Sequence, residues 1–137
     1  MMVLDTSAAI QVFALQSDSE LSEEARLFFV KERFIAPCFF NVEASNSAWK
    51  FVHAKRYEEE RARNLIASAV NCIDEFYDDE SLVGEAFSEA VRLDHSVYDL
   101  LYFVLARRKG IALLTADKKL ARLCEENGVE CVRVLDL

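Results

Sequence analysis

Apolar and polar positions follow two periods along this chain, and the switches between them mark its elements. Brief apolar runs at residues 3–4, 34–38 ("FIAPC"), 111–114 ("IALL") and 129–135 ("VECVRVL") are too short for helices and read as buried strands, the second stopped near Pro37. Between them apolar residues recur at helical spacing, which predicts helices over 6–15, 19–33, 41–57, 58–70, 81–94, 96–110 and 117–128. In 19–33 the apolar positions are Leu21, Ala25, Phe28 and Phe29, behind an acidic first turn; in 41–57 they are Val42, Trp49 and Val52. Basic residues before Gly110 end the sixth helix, and Gly128 closes the seventh. The segment "CIDEFYDD" at 72–79 suits a short edge strand. Strands separated by helices need crossover connections, so the expected fold is α/β, with a parallel sheet covered on both faces.

At 137 residues and 53% hydrophobic, with no repeat or linker, residues 1–137 read as one domain. The first dozen residues carry an acid where a targeting segment would be basic, and the apolar run 100–106 falls far short of a bilayer span. A soluble cytoplasmic protein without membrane contact is expected. Cysteines 38, 72, 124 and 131 form no C-x-x-C pair and only two histidines accompany them, so a zinc site is excluded and reduced thiols in the core are expected. Gly84, Gly110 and Gly128 are too scattered for a phosphate-cradling loop. Any cofactor should then be a hard cation held by oxygens. The net charge of −8 excludes a broad basic face for nucleic acid. It leaves room for a local patch: Lys50, Lys55, Arg56, Arg61 and Arg63 cluster in sequence after Glu43, whereas Arg107, Arg108 and Lys109 suit the solvated end of a helix.

Four acids fall at the ends of elements. Asp5 ends the first strand, Asp117 follows "IALLTA", and Asp99 and Glu43 occupy first helical turns. In a parallel α/β sheet such positions gather at the carboxyl edge, where sites form. Each acid alone also suits a cap: Asp5 or Thr6 for one helix, Asp117 for another, and Ser96 with Asp99 as a capping box. Two features weigh towards a site. Asp99 is followed by "LLYFVLA", so it heads a helix apolar on nearly every side and needs a partner there. Glu43, Asn46 and Lys50 form one polar stripe on a helix otherwise filled with apolar residues, with a plain solvated face as the competing reading.

The segments "VLDTSAAI", "NVEASNSAWK" and "SVYDLLYFVLARRKGIALLTADKKL" resemble, in order, the successive motifs of the PIN-domain family, most closely the stand-alone toxins of VapBC type. The likeness runs over nearly the whole chain; in the third motif Tyr98, Asp99, Tyr102, Ala106, Leu114, Thr115, Ala116 and Asp117 stand in register. It implies a three-layer α/β/α fold with a short central parallel sheet of four to five strands, in which neighbouring first and fourth strands bring Asp5 towards Asp117. It also implies a metal-dependent endoribonuclease with Asp5, Glu43, Asp99 and Asp117 as catalytic residues and ligands of magnesium or manganese. Clustered carboxylates repel, and a divalent cation that neutralises them also activates water and offsets charge on the phosphorane. By the same resemblance Thr6 or Ser7 and Thr115 are hydroxyls that fix the carboxylates, and Asn46 is a supporting polar group. Some members carry a further acid where this chain has Lys119, so one firmly held ion is expected.

Implied partners are RNA, with the basic patch as its weakly indicated contact, and a small antitoxin. An antitoxin helix is expected on an apolar surface near Phe28, Phe29, Phe39 and Phe40, with a basic side chain entering the acid cluster. The apolar excess also suggests a homodimer. Competing readings are a PIN nuclease for RNA processing or DNA without an antitoxin, and a non-catalytic interaction module whose acids are only caps. His53 and His95 read as surface groups. Trp49 and the tyrosines read as core.

Overall fold

The computed structural model describes residues 1–14 and 22–137. The expected helix over 6–15 is seen as α1 (Thr6–Ala14), and that over 19–33 as α2 (Glu23–Lys31); Leu15 and residues 19–21 lie outside the described residues. The remaining order is β1 (Met2–Leu4) before α1, then β2 (Phe34–Pro37), α3 (Phe39–His53), α4 (Glu59–Asn71), β3 (Glu75–Tyr77), α5 (Glu80–Leu93), α6 (Val97–Lys109), β4 (Leu113–Thr115), α7 (Lys118–Glu126) and β5 (Cys131–Arg133). A 3₁₀ turn over Val134–Asp136 takes the end of the run expected as strand.

All strand pairs are parallel, in the order β3-β2-β1-β4-β5. β1 is central because Met2, Val3 and Leu4 are all buried, an apolar run that only a sheet covered on both faces accommodates. Val3 is paired with Ile35 on one side and Leu113 on the other. The chain leaves β1 towards β2 and β3, then returns to β4 and β5, so the order reverses between β1 and β4. In open parallel sheets such a reversal is where loops diverge and sites form.

Helix α6 supplies the heart of the core. Residues 100–106 are buried without exception, and the helix packs on β1, β2 and β4 beneath α5. Gly110 ends it in the left-handed conformation at φ 64°, where its N–H and that of Ile111 reach back to Arg107 and Ala106. The basic cluster there is spent within the fold: Arg107 binds Glu85 and Glu89, and Arg108 binds Glu85. Elsewhere α1, α3 and α4 pack together around Ala48, Ala62 and Leu65.

Several expectations are corrected. The inward face of α3 is Phe40, Ala44 and Ala48, while Val42 and Trp49 are exposed and Val52 is half-buried, because the close approach of α4 admits small alanines on that face; the helix starts at Phe39. Glu43 consequently sits in the second turn. Cys38 is exposed, not core. No phenylalanine surface joins residues 28, 29, 39 and 40: Phe40 is fully buried against Phe76, and Phe28 and Phe29 pack on Phe34. No helix among the described residues is long and apolar enough to cross a membrane.

Candidate active site

Asp5 is the first residue beyond β1. Its N–H bonds to the Leu114 carbonyl at 3.0 Å, and its buried side chain faces the end of β4. One carboxylate oxygen, Oδ2, accepts from Thr115 Oγ1 at 2.7 Å and from Ser7 Oγ. Both hydroxyls are held in turn by the turn after β4: Thr115 Oγ1 accepts from Asp117 N–H and Ser7 Oγ from Ala116 N–H, each at 3.0 Å. With one proton to give, each hydroxyl is directed at Asp5. Among the described residues the Asp5 side chain accepts from these two hydroxyls and from no helix N–H. Burial pushes its carboxyl up to about 6 against the pull of those two bonds, and the charges of Asp99 and Asp117 raise it further.

Glu43 belongs to a second network. Tyr102 donates to its Oε1 at 2.5 Å, and Thr6 Oγ1 lies 3.3 Å from that oxygen and 2.8 Å from the Tyr102 hydroxyl. Thr6 thus serves Glu43, and Ser7 serves Asp5. Desolvation is again the largest cause of the Glu43 shift, up to about 7, opposed by the Tyr102 bond and reinforced by Asp5 and Asp99. The phenol of Tyr102, buried between these acids, is held well above its ordinary value. The Tyr102 hydroxyl was not legible as a site group. Its signals in the sequence are its place in the third motif and its spacing, since it follows Asp99 by three residues and so lies on the same helical face.

Asp99 opens α6, but Ser96 at the N-cap makes no side-chain cap bond, so the capping box is not formed. Burial raises the Asp99 carboxyl, Asp117 adds to this, and His95, with Nε2 3.6 Å from Asp99 Oδ2, opposes it. His95 is therefore beside the acids. His53 is elsewhere, stacked on the exposed Trp49, so the two histidines form no pair. Asp117 does cap α7: its Oδ1 accepts from Lys119 N–H at 2.8 Å and Leu120 N–H at 3.4 Å. Its Oδ2 has no hydrogen bond among the described residues. Asn46 is exposed and bonds to none of the four acids.

Among the described residues no three His, Cys, Asp or Glu side chains stand close enough to hold an ion directly as they lie. The donor set nevertheless suits a hard cation reached in part through water: it is all oxygen, and Asp5, Glu43, Asp99 and Asp117 are linked by mutual repulsion. Of the basic residues, Lys50, Arg56 and Arg61 line cavities of about 380 Å³ beside Phe51 and Tyr57, with Arg56 over the Phe51 ring and Arg61 over Tyr57. Lys55 is exposed, and Arg63 reaches Glu59 at 3.5 Å.

A parallel sheet in this order, with acids after β1 and β4, in the second turn of α3 and in the first turn of α6, defines a class of α/β protein with its site at the sheet's carboxyl edge. The PIN-domain family model matches residues 2–126, and the chain belongs to the PIN-domain family, whose members are generally nucleases. The fold is shared with PAE2754 from Pyrobaculum aerophilum, whose crystal structure is 19% identical, covers 97% of this chain and 90% of its own, and has a TM-score of 0.73. It is also shared with VapBC2 from Rickettsia felis bound to a DNA fragment from their promoter, at 14% identity, 96% and 97% coverage and a TM-score of 0.65. No curated protein matches the sequence.

Proposed function

We propose that this chain is a single PIN domain that acts in the cytoplasm as a divalent-metal-dependent endoribonuclease. The observation that carries the reading is the hydroxyl-fixed Asp5 between Thr115 and Ser7, at the strand reversal and within the field of Asp99 and Asp117. Asp5, Glu43, Asp99 and Asp117 would hold magnesium or manganese, directly or through water. When bound, such an ion lowers the pKa of water and offsets charge at a phosphate. The protein's own part is orientation. Ser7 and Thr115 direct Asp5, Tyr102 and Thr6 direct Glu43, and the α7 cap leaves one oxygen of Asp117 for the site. Lys50, Arg56 and Arg61 provide positive charge for RNA phosphates away from the acids.

RNA incubated with the protein plus magnesium, manganese or chelator tests this. Cleavage only with metal, leaving 5′-phosphate and 3′-hydroxyl ends, is expected. A cyclic 2′,3′-phosphate would instead implicate histidine chemistry, for which His95 is placed.

The protein is further proposed as the toxin of a VapBC-type pair, a reading supported by the family and by the fold shared with VapBC2. An antitoxin helix would dock on Leu27 and Val30, which α2 turns outward. A second copy would be seated on α5, where Val83, Phe87 and Val91 recur at i, i+4 and i+8 with 46%, 61% and 69% exposure. A two-fold contact would set this same row of one copy against that of the other. A small protein encoded beside the gene should bind the chain and silence cleavage.

A further inference from the structure

The parallel-stacked aromatic pairs among the described residues involve exposed or half-buried rings. Phe51 on Tyr57 is flanked by Arg56 and Arg61, and Trp49 on His53 lies in the later turns of α3. Phe39 on Tyr98 is different in position. Its rings are 5.2 Å apart and 12° from parallel, whereas pairs around the core such as Phe40 with Phe76 and Phe28 with Phe29 are tilted or edge-on. Tyr98 immediately precedes Asp99, and Phe39 precedes Glu43 by one helical turn on the same face of α3.

Tyr98 is 60% exposed although Phe39 covers one of its faces. With one face taken by Phe39, the opposite face and the ring edge are the ring surfaces left for a ligand. The backbone that carries Phe39 is fixed, since Phe39 N–H bonds to Asp79 Oδ1 at 3.0 Å and ties the start of α3 to that of α5. A flat, backed and open ring next to two of the four acids is what a nucleobase stacks on. A helix from a protein partner would favour a row of aliphatic knobs.

We propose that Phe39 and Tyr98 form a nucleobase platform: in a single-stranded RNA, a base flanking the scissile phosphate stacks on the open face of Tyr98 and sets that phosphate over the acids. This rests on the ribonuclease reading. Tyr98 is here a positioning residue, and stacking of this kind tolerates any base while requiring that it be unpaired. The platform thus selects single-stranded over duplex RNA.

The test uses short single-stranded oligoribonucleotides with one 2-aminopurine moved along the chain, bound with calcium in place of magnesium. Wild type and Tyr98→Phe should quench the fluorophore at one position, and Tyr98→Ala should lose that quench and bind roughly tenfold to a hundredfold more weakly. With magnesium, Tyr98→Ala should raise KM more than it lowers kcat, and Tyr98→Phe should restore both. Quenching that survives in Tyr98→Ala overturns the platform, as does its absence at every position in a wild type that binds and cleaves RNA; the nuclease reading then stands. A wild type that neither binds nor cleaves RNA removes both. Loss of antitoxin capture in Tyr98→Ala with RNA binding intact would reassign the pair to a protein interface and also overturn the platform.

Discussion

Thr115 donates a 2.7 Å hydrogen bond to Asp5 across 110 positions of sequence, while its oxygen accepts the N–H of Asp117. One hydroxyl joins the two acids that flank the strand reversal. Thr115→Val keeps the shape of the side chain, removes that link and leaves the half-buried Asp117 N–H without its Thr115 acceptor. It should cost about 1–3 kcal/mol in urea unfolding. Nuclease rate should fall about 10- to 100-fold through a misdirected carboxylate. Unchanged rate with unchanged stability would mean that the hydroxyl orients nothing.

Asp5→Asn, Asp99→Asn and Asp117→Asn should each abolish most cleavage while the protein stays folded, because an amide keeps shape but loses ligand charge. Asp117→Asn is the sharpest of the three, since asparagine caps helices as well as aspartate and the α7 cap should survive. Circular dichroism alongside the rate assay separates the roles.

Stability of the metal-free protein should fall as pH rises. Asp5 is raised from 3.8 to about 6 and Glu43 from 4.5 to about 7, so in this window the folded state binds more protons than the unfolded chain. The slope of unfolding free energy against pH is then negative. The cost sets in as pH rises through the unfolded values near 4, is nearly complete for Asp5 at pH 7, where it amounts to up to about 3 kcal/mol, and for Glu43 goes on growing as pH passes through about 7. Asp5→Asn in chelator should therefore melt higher than wild type at pH 7 and lose that advantage at pH 4. Magnesium at a hundredfold excess over its Kd should stabilise wild type by about 2.7 kcal/mol. Calorimetry that finds Asp5→Asn destabilised and wild type indifferent to metal would return the acids to a structural role.

Phe87→Glu puts a charge at the centre of the exposed row on α5. Size-exclusion chromatography with light scattering should show wild type as a dimer and the variant as a monomer with unchanged melting behaviour. A dimer that tolerates the charge would place the contact elsewhere.

Local pattern determined much of this protein. The order of strands and helices, the buried α6, the Gly110 cap and the position of acids after strands are written in residues a few places apart, because backbone periodicity and capping act within a turn or two. Only the tertiary structure decided how those pieces face one another. Whether Thr6 or Ser7 serves Asp5, and that Tyr102 holds Glu43 across 59 positions, depends on which hydroxyl meets which carboxylate after the sheet closes. The face of α3 is a matter of packing too: Val42 and Trp49 are apolar, yet the close approach of α4 selects the face that carries the small side chains of Ala44 and Ala48. The same holds for Phe40, which is equally apolar in core or on surface, and for Arg107, whose carboxylate partners come from a different helix. Apolarity and charge are properties of a residue, but burial and pairing are properties of the packed chain.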